Sequence, residues 1–176
     1  MPKKYRKMLI YVQVPYIQSI MRLIETQSKP TIVNWCVDYA DMRLASIYET
    51  SYPDDNRPKL AIAAARRWLD GDIKLPQAKA VILGCHAAAR ESEGSPAAQA
   101  AARAIGHCAS TIHAPTHSAG LMLYGALAVA YDKLGSDAEW EYLLAIAEEE
   151  CEHMEKALRA VMVENEPNPA KINWKC

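Results

Sequence analysis

The sequence predicts an all-α fold, a single-domain bundle of about six helices, and three observations carry that reading. Helix punctuation recurs along the chain: Pro30, Pro58, Pro76 and Pro96 each stand where a first helical turn accepts proline, and Gly71 stands where a helix takes its stop. Between these marks apolar residues recur at steps of three and four. No stretch shows sustained apolar–polar alternation bounded by turn signals, so no strand is assigned.

The elements follow in order. The opening 25 residues are expected to form one helix, broken near Pro15. "QSKPTIVNWCVDYADMRLASIYE" then carries Ile32, Trp35, Cys36, Tyr39, Met42 and Leu44 on helical spacing. "YPDDNRPKLAIAAARRWLDG" supplies Asp and Asn as caps, Pro58 in the first turn and Gly71 as terminator. "KLPQAKAVILGCHAAARE" repeats the device, and "GSPAAQAAARAIGHCASTIHA" does so again, with Ser95 as cap before Pro96. A short Gly-Ser-Pro turn joins these last two, so they form a central antiparallel hairpin. The second of them runs into Pro115 and continues as a Pro-kinked helix. A C-terminal helix over 136–164 opens with a capping box, Ser136 and Glu139, and the proline-interrupted tail 165–176 is extended.

Between residues 97 and 104 only Gln99 and Arg103 are not alanine. Small side chains let helix axes approach towards the lower end of the roughly 8–10 Å range, although alanine also favours helix by propensity alone.

Composition bounds the function. A chain of 176 residues makes one domain, 1–176, and buries roughly 70% of its unfolded surface, so it needs no staples. A hydrophobic content of 51% argues against disorder, and a net charge of -1 gives no electrostatic case for nucleic acid or an anionic membrane. No apolar run reaches the length of a membrane span, and the start "MPKKYRKMLIYVQVPY" is not expected to act as a secretory leader. Five scattered cysteines, Cys36, Cys85, Cys108, Cys151 and Cys176, without any CxxC pair, suit reduced thiols in a cytoplasmic protein. No cofactor motif is present, and no cofactor is expected.

The candidate chemistry lies in the hairpin. Residues at equal height in an antiparallel pair have a constant index sum. His86 with His107 and Arg90 with Arg103 both sum to 193, and each helix spaces its His and Arg by four, on one face. If the faces meet, carboxylates or an anionic ligand must lie between them; Asp38, Glu49, Asp54 and Asp55 are the candidates. Otherwise the arginines point to solvent and the histidines are neutral. In "YPDDNRP", Asp55 and Arg57 either cap the helix or form a fixed charged rim beside the hairpin. His113 and His117 share i,i+4 spacing and could ligate one metal, but Pro115 interrupts the helix between them and position 114 is Ala where the metalloprotease pattern needs Glu. Only one Glu-x-x-His pair exists, Glu150 to His153, short of a di-iron bundle, and "EEECEHMEK" reads as a solvated helix face. Cys85 and His86 point apart, and Ser110 with His113 is a spacing common by chance.

The blocks "YPDDNRPKLAIAAARRWLDG", "CHAAARE" and "AAQAAARAIGHCASTIHAPTHSAGLMLYGALAVAYD" together resemble the bacterial immunity proteins of the immunity-family-five-like type. The resemblance spans roughly residues 30–135, and "AARAIGHCASTIHAPTHSAG" is its most specific piece. It implies a small all-helical protein that neutralises a bacterial toxin by direct binding, and it supplies no catalytic residues. Two readings result. The first is a non-catalytic binding protein with a cognate toxin, anchored by Arg57, Arg90 and Arg103, with Trp68 and Trp140 as lesser candidates. The second is a metal-binding protein or small hydrolase using His86, His107, His113 and His117. A homo-oligomer with an unnamed ligand is a third.

Overall fold

The computed structural model describes residues 5–9 and 12–175. Its helices are α1 Pro15–Ile24, α2 Lys29–Arg43, α3 Ala45–Ser51, α4 Arg57–Leu69, α5 Leu75–Glu91, α6 Pro96–Ser110, α7 Ala126–Leu134 and α8 Trp140–Val161. A 3-10 turn, Pro115–Ser118, and a π turn, Leu121–Gly125, lie between α6 and α7. No strand occurs among the described residues. The all-α expectation holds; the count rises from six because two expected helices are divided.

The helix starts were well marked. Ser95 Oγ accepts the Ala98 N–H, and Ser28 Oγ does the same for Thr31. At the end of α4, the Gly71 N–H donates to Trp68 O and the Asp72 N–H to Arg67 O, with Gly71 at φ +80°. That pair of bonds is a Schellman stop, and the positive φ is why the position takes glycine.

Four boundaries differ from expectation. Helix α1 begins at Pro15, which suits a first turn, so the residues described before it are irregular rather than helical. The helix expected from Pro30 onward ends at Arg43, and α3 restarts after Leu44. At the C-terminal side, α8 starts at Trp140 with Glu139 as N-cap and no side-chain cap; Ser136 lies in the preceding turn, so the expected capping box does not form. Helix α8 ends at Val161, short of the expected 164, and residues 162–175 are non-helical but tied down. Val163 N donates to Gln27 Oε1, Ala170 N to Gln27 O, and Trp174 Nε1 to Glu25 Oε1.

Helix α6 runs through the middle of the bundle, packing against α2, α3, α4, α5 and α7. Its Ala98, Ala100, Ala101, Ala102, Ala104 and Ala109 are all buried. A helix surrounded on most sides must be slim, so packing accounts for the alanine run. Helices α5 and α6 form the expected antiparallel hairpin, and two side-chain bonds tie them: Cys85 Sγ donates to Ala102 O and Gln99 Nε2 to Ala89 O.

Candidate functional site

Facing positions on α5 and α6 bring His86 and His107 together, with ring centres 5.7 Å apart and nearly perpendicular planes. Room for both comes from two glycines. A Cβ on Gly106 would lie 2.7 Å from His86 Cε1, and a Cβ on Gly120 would collide with the His107 Cβ.

After Ser110 the chain does not kink but breaks. The 3-10 turn begins at Pro115, and the π turn follows before helix resumes at Ala126. This break folds His117 back over α6, its ring centre 5.2 Å from that of His107 and the two Nδ1 atoms 3.3 Å apart. His113 stands 5.0 Å from His117, ring to ring, and Tyr124 of the π turn lies 5.1 Å from His107. The result is a row of four imidazoles, His86, His107, His117 and His113, along one face.

Burial favours the neutral form along the whole row. Burial, then the neighbouring His117, His86 and Arg103, brings His107 down to about 4. Burial likewise lowers His86, helped by His117 and Arg90, and it alone lowers His117. His113 is lowered by burial and by His117, Lys79, Lys29 and His86, and its buried Nδ1 has no hydrogen-bond partner. Neutrality resolves the crowding that seemed to demand carboxylates, and the four candidates pair elsewhere or stay in solvent. Asp38 pairs with Arg66, Glu49 with Lys59 and Asp55 with Arg57, while Asp54 is exposed.

The arginines of the hairpin differ from those that hold the ion pairs of the fold. Among the described residues, Arg43, Arg57, Arg66 and Arg159 all pair with carboxylates. Arg90 is exposed and Arg103 only half-buried, and neither pairs with any described carboxylate.

Asp55 and Arg57 form a separate knot on the other side of α5. Tyr48 donates its hydroxyl proton to Asp55 Oδ2 at 2.6 Å, and Arg57 Nη2 donates at 2.7 Å to both Asp55 Oδ2 and Glu91 Oε2. Hydrogen bonds from Arg57 hold the Asp55 carboxyl well below its usual range despite some burial. Burial and Asp55 push Tyr48 up to about 12. The Arg57 stem lies over Gly84, so this knot clamps the start of α4 to α5 while His86 faces α6. It serves both as cap, through Arg57 N to Asp55 Oδ1, and as a charged rim.

Nucleophile candidates fare poorly. Burial pushes the Cys85 thiol up to about 12. Ser110 Oγ donates to Gly106 O at 2.8 Å and lies 3.5 Å from His86 Nε2, so it sits beside His86 rather than the expected His113. Among the described residues no group of three His, Cys, Asp or Glu side chains converges to hold a metal.

One polar centre differs from expectation. Glu150, expected on a solvated face, is 1% exposed. Arg43 Nε and Nη2 donate to its two oxygens at 3.0 and 2.9 Å, Tyr39 donates its hydroxyl proton at 2.5 Å, and His153 Nδ1 lies 3.6 Å away. A signal existed: Leu143, Ala147, Glu150, Met154 and Leu158 fall in one three-four phase and all are buried.

The fold and site define an all-helical scaffold that presents a row of neutral histidines and unpaired arginines on one face. The chain belongs to a family described as Imm-5 like putative immunity protein, whose model matches residues 22–157. That span is wider than the residues carrying the resemblance, reaching into α1 and most of α8. No curated protein and no solved structure matches the chain significantly. No helix among the described residues is long and apolar enough to cross a membrane.

Proposed function

We propose that this immunity-family protein neutralises a bacterial toxin by binding it directly through the outer face of the α5–α6 hairpin. Family membership supports the class of function. The observation that carries the surface is Arg103: a half-buried arginine on the central helix with no described carboxylate partner. Folded proteins rarely leave a partly desolvated cation unpaired unless something else meets it. Arg90 doubles the charge at the same register, and arginine is enriched among the residues that dominate binding energy. The toxin face that fits carries carboxylates, which would steer encounter and meet both guanidiniums. His86 and His107 would border this surface, while the Asp55–Arg57 knot, on the other side of α5, would hold the hairpin in place behind it. The protein would act in the cytoplasm, where Cys36, Cys85, Cys108 and Cys151 remain free thiols.

Co-purification tests this, with toxins encoded beside the gene as bait. The expected result is a stoichiometric complex that survives washing and is lost in an Arg90→Glu/Arg103→Glu variant of unchanged helicity. Failure of every such toxin to co-purify, with no protection on co-expression, overturns the reading.

A further inference from the structure

We propose that His107 and His117 form a two-histidine chelate for a borderline divalent transition ion, Zn²⁺, Ni²⁺ or Cu²⁺, bound through Nδ1 of each ring. The inference stands independently of the toxin-binding reading. It pairs His117 with the residue beside it in space rather than with His113, its neighbour in the sequence pattern.

The geometry carries it. The two Nδ1 atoms are 3.3 Å apart. A metal about 2.05 Å from each would see them at an angle of about 107°, which is tetrahedral. An imidazole centre lies about 1.1 Å behind its coordinating nitrogen, so convergent rings on such an ion should have centres about 5.1 Å apart. The observed separation is 5.2 Å. A collinear N–H···N hydrogen bond over the same nitrogen distance would spread the centres to about 5.5 Å.

The surroundings suit a ligand pair. A metal needs neutral imidazole, and burial keeps both rings in that form. His107 is fixed by Gly120 behind it and Tyr124 beside it, and π turns such as 121–125 gather at functional sites. An all-nitrogen pair selects Zn²⁺, Ni²⁺ or Cu²⁺ over Mg²⁺ or Ca²⁺, which want oxygen. No third described His, Cys, Asp or Glu joins them, so the two imidazoles would be the only side-chain ligands of these types.

The test uses the full chain, purified without a histidine tag, stripped with chelator and titrated with Co²⁺ and Zn²⁺ by visible absorption and calorimetry. One equivalent should bind. His107→Ala and His117→Ala should each weaken binding by about tenfold or more, whereas His86→Ala and His153→Ala should leave it nearly unchanged. Because His107 is half-buried and its variant could fail to fold, the wild-type protein supplies a second measurement. Zn²⁺ should shift the Nδ1 resonances of two histidine rings in ¹⁵N spectra while their Nε2 stays protonated. No binding by wild type, equal loss in His86→Ala, or shifts confined to Nε2 would overturn the proposal.

Discussion

The α2–α8 seam and the α5–α6 face each hold a cluster of polar side chains in an otherwise apolar bundle, yet they are satisfied in opposite ways. At the seam, Glu150 is buried and surrounded by Arg43, Tyr39 and His153. Burial pushes its pKa up, but the Arg43 and Tyr39 hydrogen bonds outweigh that and the net direction is down. On the α5–α6 face the charge is removed instead: the histidines go neutral, one buried nitrogen of His113 is orphaned, and two arginines face outward unpaired. A completed network stabilises its own fold. An incomplete one leaves donors and lone pairs available to something else.

Mutation should separate the two regions sharply. Arg43→Ala leaves a buried carboxylate without its cation, and breaking such a pair costs about 3–5 kcal/mol when both partners are buried. Arg43 itself is 38% exposed, so the expected loss is smaller, about 2–3 kcal/mol. For a chain of this size that lowers Tm by about 5–10 °C in a thermal melt. Tyr39→Phe should cost about 1.5 kcal/mol, the lower end for one hydrogen bond to a charged group, because Glu150 keeps its other partners. A negligible effect of Arg43→Ala would erase the contrast.

The next effect lies on the histidine face, and it is steric. Gly120→Ala forces a Cβ into the His107 Cβ, close to backbone that cannot move away, and overpacking of that kind costs about 1–3 kcal/mol. Gly106→Ala meets only the far end of the His86 ring, which can swing outward, so its cost should be lower. A denaturant-melt cycle sharpens this: the Gly106→Ala cost should largely vanish in a His86→Ala background.

Acid should act through the histidine row and then through the carboxylate knots. The Glu150 pKa is held below its ordinary 4.5 and that of Asp55 below 3.8. Groups lowered by folding contribute stability that is present above those unfolded values and lost as pH falls through the folded ones. Stability should therefore begin to decline below about pH 6.5, where unfolded histidines take up protons that His86, His107, His113 and His117 resist in the fold, and further below about 4.5, where the slope should be shallower in Arg43→Ala, whose Glu150 no longer gains from being charged.

These contrasts were unevenly legible in the sequence. The pairing of the hairpin could be counted because a short turn, residues 92–95, joins its helices, and His86 meets His107 as the index sum required. Helix starts could be read from Pro and Ser because capping is local chemistry. Glu150 could not be placed from its own run of glutamates, since its burial depends on Tyr39 and Arg43, more than a hundred residues away. The approach of His117 to His107 was hidden for a similar reason: i,i+4 spacing pointed to His113, whereas the broken backbone from Thr111 to Gly125 sets the real neighbour. The division at Leu44 has no proline or glycine to announce it.

The smallest expected effect is the most telling. Arg103→Gln keeps much of the long stem that covers apolar surface and removes only the charge. If the guanidinium has no partner inside the fold, stability should change by no more than about 0.5 kcal/mol, as for surface positions free of special contacts. Removal of a charge repelled by Arg90 should, if anything, raise Tm slightly. Toxin binding, in contrast, should weaken by about tenfold or more, as for an arginine anchor. A loss of stability above about 1 kcal/mol in urea melts would mean that Arg103 is held from within, as Arg43 is. The α5–α6 face would then be a second structural knot, and its claim to be a binding surface would fall with it.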